Sequence, residues 1–485
     1  MYAFTRAFLA VVLLSGPVMA QKKAKAPEPP PPVAWKGGHL VYAPDEKGDR
    51  IPDFSYSGYK GGDSALPNVT VRVIVPSRTG DATFSIQQAL DYVGSLPVDA
   101  SGFRGTVLLE KGVYEVAGSL VINRSGVVLR GSGMGTTLLA TGTDRRTLIR
   151  VAGVNDRVVE KEVDVTDGYV PVNATHFRVA GTFHVGDRIL VHRPSTAEWI
   201  KLLGMETFGG GISALGWKPG QREIYWDRRV VAVDGDGVTV DAPLTTALDT
   251  AYGGGKVAVY HWDRRIENVG IENLRCRSAY DIHNPKDEAH SWMAITMENL
   301  SDAWVRQVIV EHFAGSAVDV LETANRVTVE DCKYLSPISE IGGQRRNAFI
   351  TMGGQTLFQR LYSERAFHDF SVGYCAPGPN AFVQCQSYYP YNISGAIDSW
   401  ASGILFDVVN VDAQVLSFAN REQDGQGAGW CAANSLFWNC TAARINCYRP
   451  PGAQNWSYGS WAQFGGDGYW NAQPERHRSV PAGTR

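Results

Sequence analysis

The sequence predicts an all-β protein whose main part is a parallel β-helix, a solenoid in which each coil stacks on the previous one. Two observations lead to this fold class. A four-residue pattern recurs from residue 271 onward, and residues 106–140 read as strands punctuated by glycines. Strand-and-turn repeats of about 20–29 residues are typical of solenoids, because one coil cannot bury its apolar side chains without its neighbours.

The recurring pattern is an apolar residue, a variable residue, a polar residue, and then an apolar residue or cysteine. Successive copies are 34, 24, 29, 24, 23 and 32 residues apart, which fits a base repeat near 24 with loop insertions. The copies are IENL (271–274), VRQV (305–308), VEDC (329–332), FQRL (358–361), FVQC (382–385), LFDV (405–408) and FWNC (437–440). We expect the last position of each copy to form an inward column: Leu274, Val308, Cys332, Leu361, Cys385, Val408 and Cys440.

Composition divides the chain into five parts. Residues 1–20 have the apolar run and small-residue ending of a secretory signal peptide, so we expect an exported protein. Residues 21–35 are a proline-rich linker. The remaining parts are the N-terminal β-helix (36–154), a β-rich insertion (155–265), and the main coils with C-terminal loops (266–485).

Two helices are predicted outside the solenoid rhythm. Ser85–Val93 is amphipathic, and Ser85 with Gln88 fits a capping box at its start. We expect this helix to cover the exposed backbone at the open end of the coil stack. Within the insertion, residues 195–205 are expected to form a short helix.

Several function classes are disfavoured by the composition. The net charge of −3 and the lack of a basic stripe argue against nucleic acid as a partner. No apolar run is long enough for a membrane span. The seven cysteines form no CxxC pair, so a zinc ribbon is not expected. GSGMG (131–135) precedes a strand-like segment, whereas a dinucleotide-binding loop opens a helix.

Charged residues concentrate before four aligned strands, SWMAI (291–295), SAVDV (316–320), NAFIT (347–351) and HDFSV (368–372). Strand alternation predicts that Met293, Val318, Phe349 and Phe370 point inward and that Trp292, Asp319 and Asp369 point outward. The preceding turns are KDEAH (286–290), EHF (311–313), SEIGGQRR (339–346) and SERAFH (363–368). Because coils stack about 4.8 Å apart, these turns should form one charged corner.

This corner supplies the candidate site. The candidate catalytic residues are His290, Glu311, His312, Arg346, Glu364, His368 and Asp369. The candidate substrate-binding residues are Glu288, Trp292, Asp319, Arg345 and Arg365. For any single charge, a salt-bridged turn exposed to solvent is the simpler interpretation; the recurrence of three histidines beside paired arginines favours a functional cleft.

The segments GTVLLEKGVYEV and VVLRGSGMGTTLL resemble the opening coils of the pectin-lyase-like superfamily, which consists of right-handed parallel β-helices. The blocks DEAHSW, GGQRRNAF, GGQTLFQR and SERAFHDF resemble a subgroup labelled pectate-lyase superfamily protein. The resemblance implies a right-handed helix and a glycan lying along a groove parallel to its axis. The calcium-binding aspartates and catalytic arginine of pectate lyases have no clear counterpart here, nor does a polygalacturonase motif.

Three functions remain open from the residues, and the one we favour is cleavage of a uronic-acid-containing polysaccharide by β-elimination. A polysaccharide lyase would use Arg345 and Arg346 to bind a uronate carboxylate and a histidine as the base for β-elimination. A glycoside hydrolase would use a carboxyl pair such as Glu311 and Glu364, which lie two coils apart at equivalent positions. A non-catalytic glycan-binding solenoid is the third possibility. No cofactor is certain, Ca²⁺ is possible although no ligand spacing defines its site, and the oligomeric state is unknown.

Overall fold

The computed structural model describes residues 32–208 and 211–465. The predicted signal peptide and most of the predicted linker lie outside these residues. The chain separates into two units, Met1–Ala43 and Pro44–Arg485. The described part of the first unit is an antiparallel hairpin of strands Val33–Lys36 and His39–Tyr42.

The second unit confirms the predicted fold class, a right-handed parallel β-helix. Each coil contributes a strand to face A, face B and face C in turn, and every strand pairs in parallel with its counterpart one coil on. The position of any side chain is therefore set by its face and its coil.

The strands of the β-helix have the following bounds. Face A holds Val71–Val75, Gly105–Leu109, Val127–Gly131, Ala324–Glu330, Leu357–Gln359, Pro377–Val383, Ala401–Asp407, Ala432–Ala433, Ser435–Trp438 and Asn455–Tyr458. Face B holds Gly112–Val116, Thr136–Ala140, Lys333–Leu335, Tyr362–Glu364 and Gln386–Tyr388. Face C holds Leu120–Ile122, Thr147–Ala152, Met293–Glu298, Val318–Val320, Asn347–Thr351, His368–Val372 and Ser394–Ala396. Strands Ile266–Ser278 and Leu300–Glu311 run from face A to face B, and strands Asn410–Phe418, Thr441–Cys447 and Trp461–Phe464 run from face B to face C.

A single residue makes the bend from face A to face B, and it lies in the left-handed region of φ/ψ space. In seven coils its φ lies between 51° and 57°: Asn273, Gln307, Asp331, Arg360, Gln384, Val408 and Asn439. This conformation costs most residues about 1–2 kcal/mol, and asparagine and aspartate tolerate it best. The polar position of the sequence repeat is therefore mainly a backbone requirement.

The residue after the bend points inward, and six members of the predicted column are confirmed: Leu274, Val308, Cys332, Leu361, Cys385 and Cys440, all 2% exposed or less. The seventh, Val408, is wrong. It is the bend residue itself and is 48% exposed, while Val409 is fully buried in the column. The error arises because in LFDV the polar residue, Asp407, precedes the bend instead of occupying it.

The interior is filled by side chains that stack from coil to coil. Phe358, Phe382 and Phe406 occupy one register position on face A, with successive ring centroids 4.8 Å apart. This distance matches the coil spacing, so the rings stack in parallel.

A helix packs against the first coils at Thr83–Ser95, in agreement with the predicted helix over Ser85–Val93. Ile86, Leu90 and Val93 enter the same apolar core as the coils. The predicted capping box does not form, because the Ser85 hydroxyl donates to the carbonyl of Ala82. That the helix closes the end of the coil stack remains a prediction.

The insertion forms an antiparallel sheet whose apolar side chains pack in a cluster separate from the interior of the coils. Its strands are Val158–Val159, Val163–Asp164, His176–Arg178, Arg188–Arg193, Ile224–Asp234, Gly237–Val240 and Lys256–His261, beside a separate pair of Tyr169–Val170 with Leu248–Asp249. The predicted short helix is present at Ala197–Leu203. Among the described residues, no helix has the length and hydrophobicity that a bilayer crossing requires.

The insertion packs against the turns that follow face C in the later coils. Trp199 and Trp217 share an apolar cluster with Trp400 and Trp430 of those turns. The indole of Trp217 donates to the carbonyl of Gly427 at 2.8 Å. The insertion is therefore fixed to one side of the β-helix.

The left-handed bend residues between face A and face B lead to a prediction about stability. Val408 is a β-branched residue in the left-handed conformation, so Val408→Asn should raise the free energy of unfolding by about 1 kcal/mol. Urea unfolding measures this change. Gln384→Val, at the same position one coil earlier, is the matched control and should lower stability by a similar amount. If the wild type and both variants were equally stable, the left-handed conformation would not determine which residue is favoured at the bend.

Candidate functional site

The predicted charged turns lie together at the corner between face B and face C. The backbone of Arg346 connects three successive coils: its N–H donates to Ala314, and its carbonyl accepts from Phe367 and His368 at 2.8 and 3.2 Å. The corner thus exists as predicted, and its chemistry depends on which side chains are accessible and unpaired.

Arg346 is buried and engaged. Its guanidinium donates to the hydroxyl of Ser339 at 3.0 Å and to the carbonyl of Ser339 at 2.6 Å, and it is 6% exposed. Burial lowers the pKa of Arg346. These bonds hold the turn that contains Ser339, which gives Arg346 a structural role in this conformation.

Two of the three predicted histidines are also buried. His290 is 1% exposed, and its two ring nitrogens lie 2.8 Å from the Ser278 hydroxyl and 3.1 Å from the Ile338 carbonyl. His368 is 4% exposed, with Nδ1 at 2.6 Å from the Ile393 carbonyl. Burial lowers the pKa of His368 to about 4, so its imidazole is neutral at physiological pH.

His312 is the most accessible of the three. It is half-buried and packs edge-to-face on Tyr280, with ring centroids 4.9 Å apart. Burial lowers the pKa of His312, partly opposed by the carboxylate of Glu311. A neutral imidazole at this position has the protonation state that a general base requires.

Glu311 and Glu364 share an outward column on face B. Glu311 is opposite Leu335 in the next coil, and the pairing of Tyr334 with Ser363 places Glu364 opposite Leu335 one coil further. Their predicted placement two coils apart is therefore correct. Glu311 forms an ion pair with Arg277 at 2.7 Å, and Glu364 accepts from the hydroxyl of Ser336 at 3.2 Å.

The predicted binding residues Glu288, Trp292 and Arg345 form one compact group. Arg345 holds Glu288 in an ion pair that lowers the pKa of the carboxyl group. The guanidinium carbons of Arg145 and Arg345 lie 4.2 and 5.4 Å from the Trp292 ring centroid, and Trp292 is 5% exposed. In this arrangement arginines occupy the ring surface that a sugar would need. Arg365 is exposed at the same corner.

Asp369 points into the β-helix, so its predicted outward orientation is wrong. The carboxyl group is fully buried and accepts hydrogen bonds from Ser363 at 2.5 Å and Ser387 at 2.9 Å, both on the inner side of face B. Burial raises the pKa of Asp369 to about 6. Strict alternation fails here because residues 369 and 370 both face the interior where the chain enters the strand.

The predicted alignment of the first strand is wrong for a related reason. Ile295 pairs with Val318, so Ile295 occupies the inward position that was predicted for Met293. Trp292 consequently lies in the turn before the strand. The long loop before this strand places the inward position two residues later in the sequence than predicted.

Asp319 does point outward from face C, as predicted. Its register partners in the preceding and following coils are Thr296 and Ile350, and Asp319 is 8% exposed. Its Oδ1 atom is buried and has no hydrogen-bond partner among the described residues. Burial, with a smaller contribution from Glu322, raises the pKa of Asp319 to about 7.

Several ionisable groups surround Asp319. Tyr374 has a raised pKa, caused first by burial and then by Asp398 and Asp319, with Arg421 opposing. Asp398 accepts from the backbone N–H and the hydroxyl of Ser399 at 2.6 and 2.8 Å. We call Asp319, Glu322, Tyr374, Asp398 and Arg421 the face C cluster.

Sequence reasoning missed Glu322, Tyr374, Asp398 and Arg421, although a signal was present. Glu322, Tyr374 and Asp398 each lie two residues beyond the end of a face C strand. Aligning the chain after these strands, as well as before them, would have found the column.

Within residues 32–208 and 211–465, no three His, Cys, Asp or Glu side chains are grouped as a metal site would require. The possible Ca²⁺ therefore has no assigned ligands.

No family model matches the sequence, and no curated protein matches it. Solved structures with a similar fold include the tailspike protein gp49 of Pseudomonas phage LKA1, with 11% identity, 79% of this chain, 64% of that chain and a TM-score of 0.48. The A-module of Azotobacter vinelandii mannuronan C-5 epimerase AlgE4 has 11% identity, 83% and 87% coverage, and a TM-score of 0.28.

A third similar structure is an iota-carrageenase in complex with iota-carrageenan fragments, with 9% identity, 80% and 60% coverage, and a TM-score of 0.34. This chain spans less than two thirds of the tailspike and of the carrageenase. At these identities and TM-scores the similarities carry no argument about activity.

Asp369 predicts a pH-dependent stability. Its folded pKa of about 6 lies above the unfolded value, so the protonated carboxyl favours folding. This stabilisation is complete below about pH 4 and is lost as the pH rises towards 6. Asp369→Asn cannot ionise, so above pH 6 the variant should be more stable than wild type by up to about 3 kcal/mol.

Urea unfolding at pH 5 and pH 8 measures this difference. Asp263→Asn, at an exposed position of the insertion, is the control for an aspartate-to-asparagine change outside the interior. The quantity compared is the difference in the free energy of unfolding between the wild type and Asp369→Asn. If this difference were the same at both pH values, Asp369 would not titrate in the interior.

Proposed function

We propose that this protein is an exported enzyme that hydrolyses the glycosidic bonds of an acidic polysaccharide, with Asp319 as the proton donor. The observation that carries the proposal is the state of Asp319. It is an outward-facing carboxyl group with an unpaired oxygen and a pKa of about 7. A general acid must be protonated at the working pH, and burial is the usual way in which a carboxyl group meets this requirement.

The second carboxyl group that hydrolysis requires is available in the same cluster. Glycosidases use one protonated and one ionised carboxyl group on either side of the scissile bond. Asp398 accepts two hydrogen bonds from Ser399, and exposed Glu322 follows the same strand as Asp319. Asp398 is the candidate base or nucleophile, whereas the charge of Glu322 raises the pKa of Asp319. Arg421 adds a cation that suits an acidic substrate.

β-Elimination is the second candidate, and His312 is the observation that favours it. Its lowered pKa keeps the imidazole neutral, as a base for the proton next to a uronate carboxylate must be. Arg346 and His368 are weaker candidates for roles in β-elimination, because their polar groups already form hydrogen bonds within the protein.

One assay separates these possibilities. The protein is incubated with a panel of uronic-acid polysaccharides, and the products are measured for new reducing ends and for the ultraviolet absorbance of a new C=C bond. Hydrolysis gives reducing ends without this absorbance. If the ultraviolet absorbance increased together with the reducing ends, the protein would be a lyase and the proposed hydrolysis would be wrong. Binding without turnover would indicate a glycan-binding solenoid.

Replacing Asp319 tests its assigned role. Asp319→Asn keeps the shape of the side chain but removes the transferable proton, so the rate should fall by about 10²–10⁴-fold. Glu115→Gln is the control, because Glu115 is exposed on face B and lies about 200 residues before Asp319 in the sequence. This variant should leave the rate unchanged. Wild-type activity in Asp319→Asn, with an unchanged melting temperature, would exclude Asp319 as the proton donor.

The pH profile gives an independent test. Because protonated Asp319 is the active form, kcat/KM should fall as the pH rises through about 7. The charge of Glu322 contributes to the raised pKa, so Glu322→Gln should move this limb to lower pH. A limb that stays in place in Glu322→Gln would assign the titration to a different group.

A further inference from the structure

A polar cavity of about 350 Å³ lies outside the face C cluster. It forms where the short 3₁₀ turns Phe54–Tyr56 and Tyr59–Gly62 meet the face A strand Ala324–Glu330 and the insertion hairpin of Ile224–Asp234 with Gly237–Val240. This volume lies in the range of small-molecule sites. No residue of the face C cluster lines it.

The cavity is lined by three cations and two carboxyl groups, Lys60, Arg229, Arg326, Asp63 and Asp241. Two of the cations are held by buried Asp302: Lys60 Nζ is 3.1 Å and an Arg326 Nη atom 2.9 Å from its carboxylate. These two ion pairs fix the cations at one side of the cavity.

Arg229 is different. Its side chain is exposed and forms no hydrogen bond or ion pair with any residue in the described part of the chain. Its backbone N–H donates to Asp241 Oδ1 at 2.9 Å, so the guanidinium and this carboxyl group extend from one anchored point. An unpaired arginine in a cavity is suited to bind a carboxylate through two parallel hydrogen bonds.

The remaining lining groups suit hydroxyls. Asp241 Oδ2 lies 4.0 Å from Arg326, and the nearby guanidinium of Arg228 donates its hydrogen bonds to backbone carbonyls and to Gln355. Asp241 Oδ2 can therefore accept from a ligand hydroxyl. The pKa of Tyr56 is raised by burial and by nearby Asp53, Asp63 and Asp241, so its phenol remains a donor. The two carboxyl groups disfavour a phosphate dianion more than a monovalent carboxylate.

We infer that this cavity binds a single uronic-acid unit, with its carboxylate on Arg229 and its hydroxyls on Asp241 and Tyr56. The site would be a second saccharide-binding position, remote from bond cleavage. The inference shares with the proposed function the expectation of an acidic saccharide, but none of its catalytic residues.

Titration of the full chain with sodium D-glucuronate, followed by calorimetry, tests the inference. The Asp319→Asn variant is used, so that binding is measured without turnover. We expect millimolar binding of glucuronate, and weaker binding of glucose and of glucose 6-phosphate. Arg229→Gln should weaken glucuronate binding by about tenfold or more, since it removes a charged hydrogen-bonding pair.

Arg124→Gln is the matched control, because Arg124 lines a separate cavity of about 440 Å³ near the first helix. It should bind glucuronate like the parent. Asp241→Asn provides a second probe of the site and should also weaken binding. Equal binding by Arg229→Gln and the parent, equal or tighter binding of glucose 6-phosphate, or no binding of glucuronate would each overturn the inference. Activity at Asp319 would be unaffected by any of these outcomes.

Discussion

The backbone hydrogen bonds between successive coils are the constraint on which the rest of this structure depends. They hold equivalent residues about 4.8 Å apart, so a side chain repeated at one register position becomes a column. The stacked rings of Phe358, Phe382 and Phe406 are one such column, and the residues at the left-handed bends are another. Any group of functional side chains in this protein must be assembled from these columns and from the turns between them.

The same constraint explains what could be predicted from the sequence. The period, the parallel strands and six of seven inward residues follow from the repeat, because a backbone bend recurs at each copy. Val408 shows the limit, since a valine at the bend is indistinguishable in sequence from the inward valine beside it. The charged corner was also found, because turns of adjacent coils must be close in space.

The accessibility of the corner residues could not be predicted, because it depends on contacts between turns of unequal length. Arg346 is bonded to Ser339 within its own turn, and His290 reaches Ile338 of another coil. Asp319 and Asp369 illustrate the problem directly. Both lie in face C strands, yet one faces outward without a partner at Oδ1 and the other faces inward between two serines. Asp369 lies two register positions before the residue that aligns with Asp319, so strict alternation would place both side chains outward. The path of the chain into the strand turns Asp369 inward and makes it a buried structural group.

The insertion packs beside the face C cluster. Its tryptophans pack on the turns after face C, which are the turns that carry Tyr374 and Asp398. Burial raises the pKa of Cys375, next to Tyr374, and the effect is opposed by Arg222 of the insertion and increased by Asp398 of the coils. These groups therefore share one electrostatic environment. A polymer lying along face C would meet the insertion on one edge and the charged corner on the other, so the side chains that bind it need not be those that cleave it.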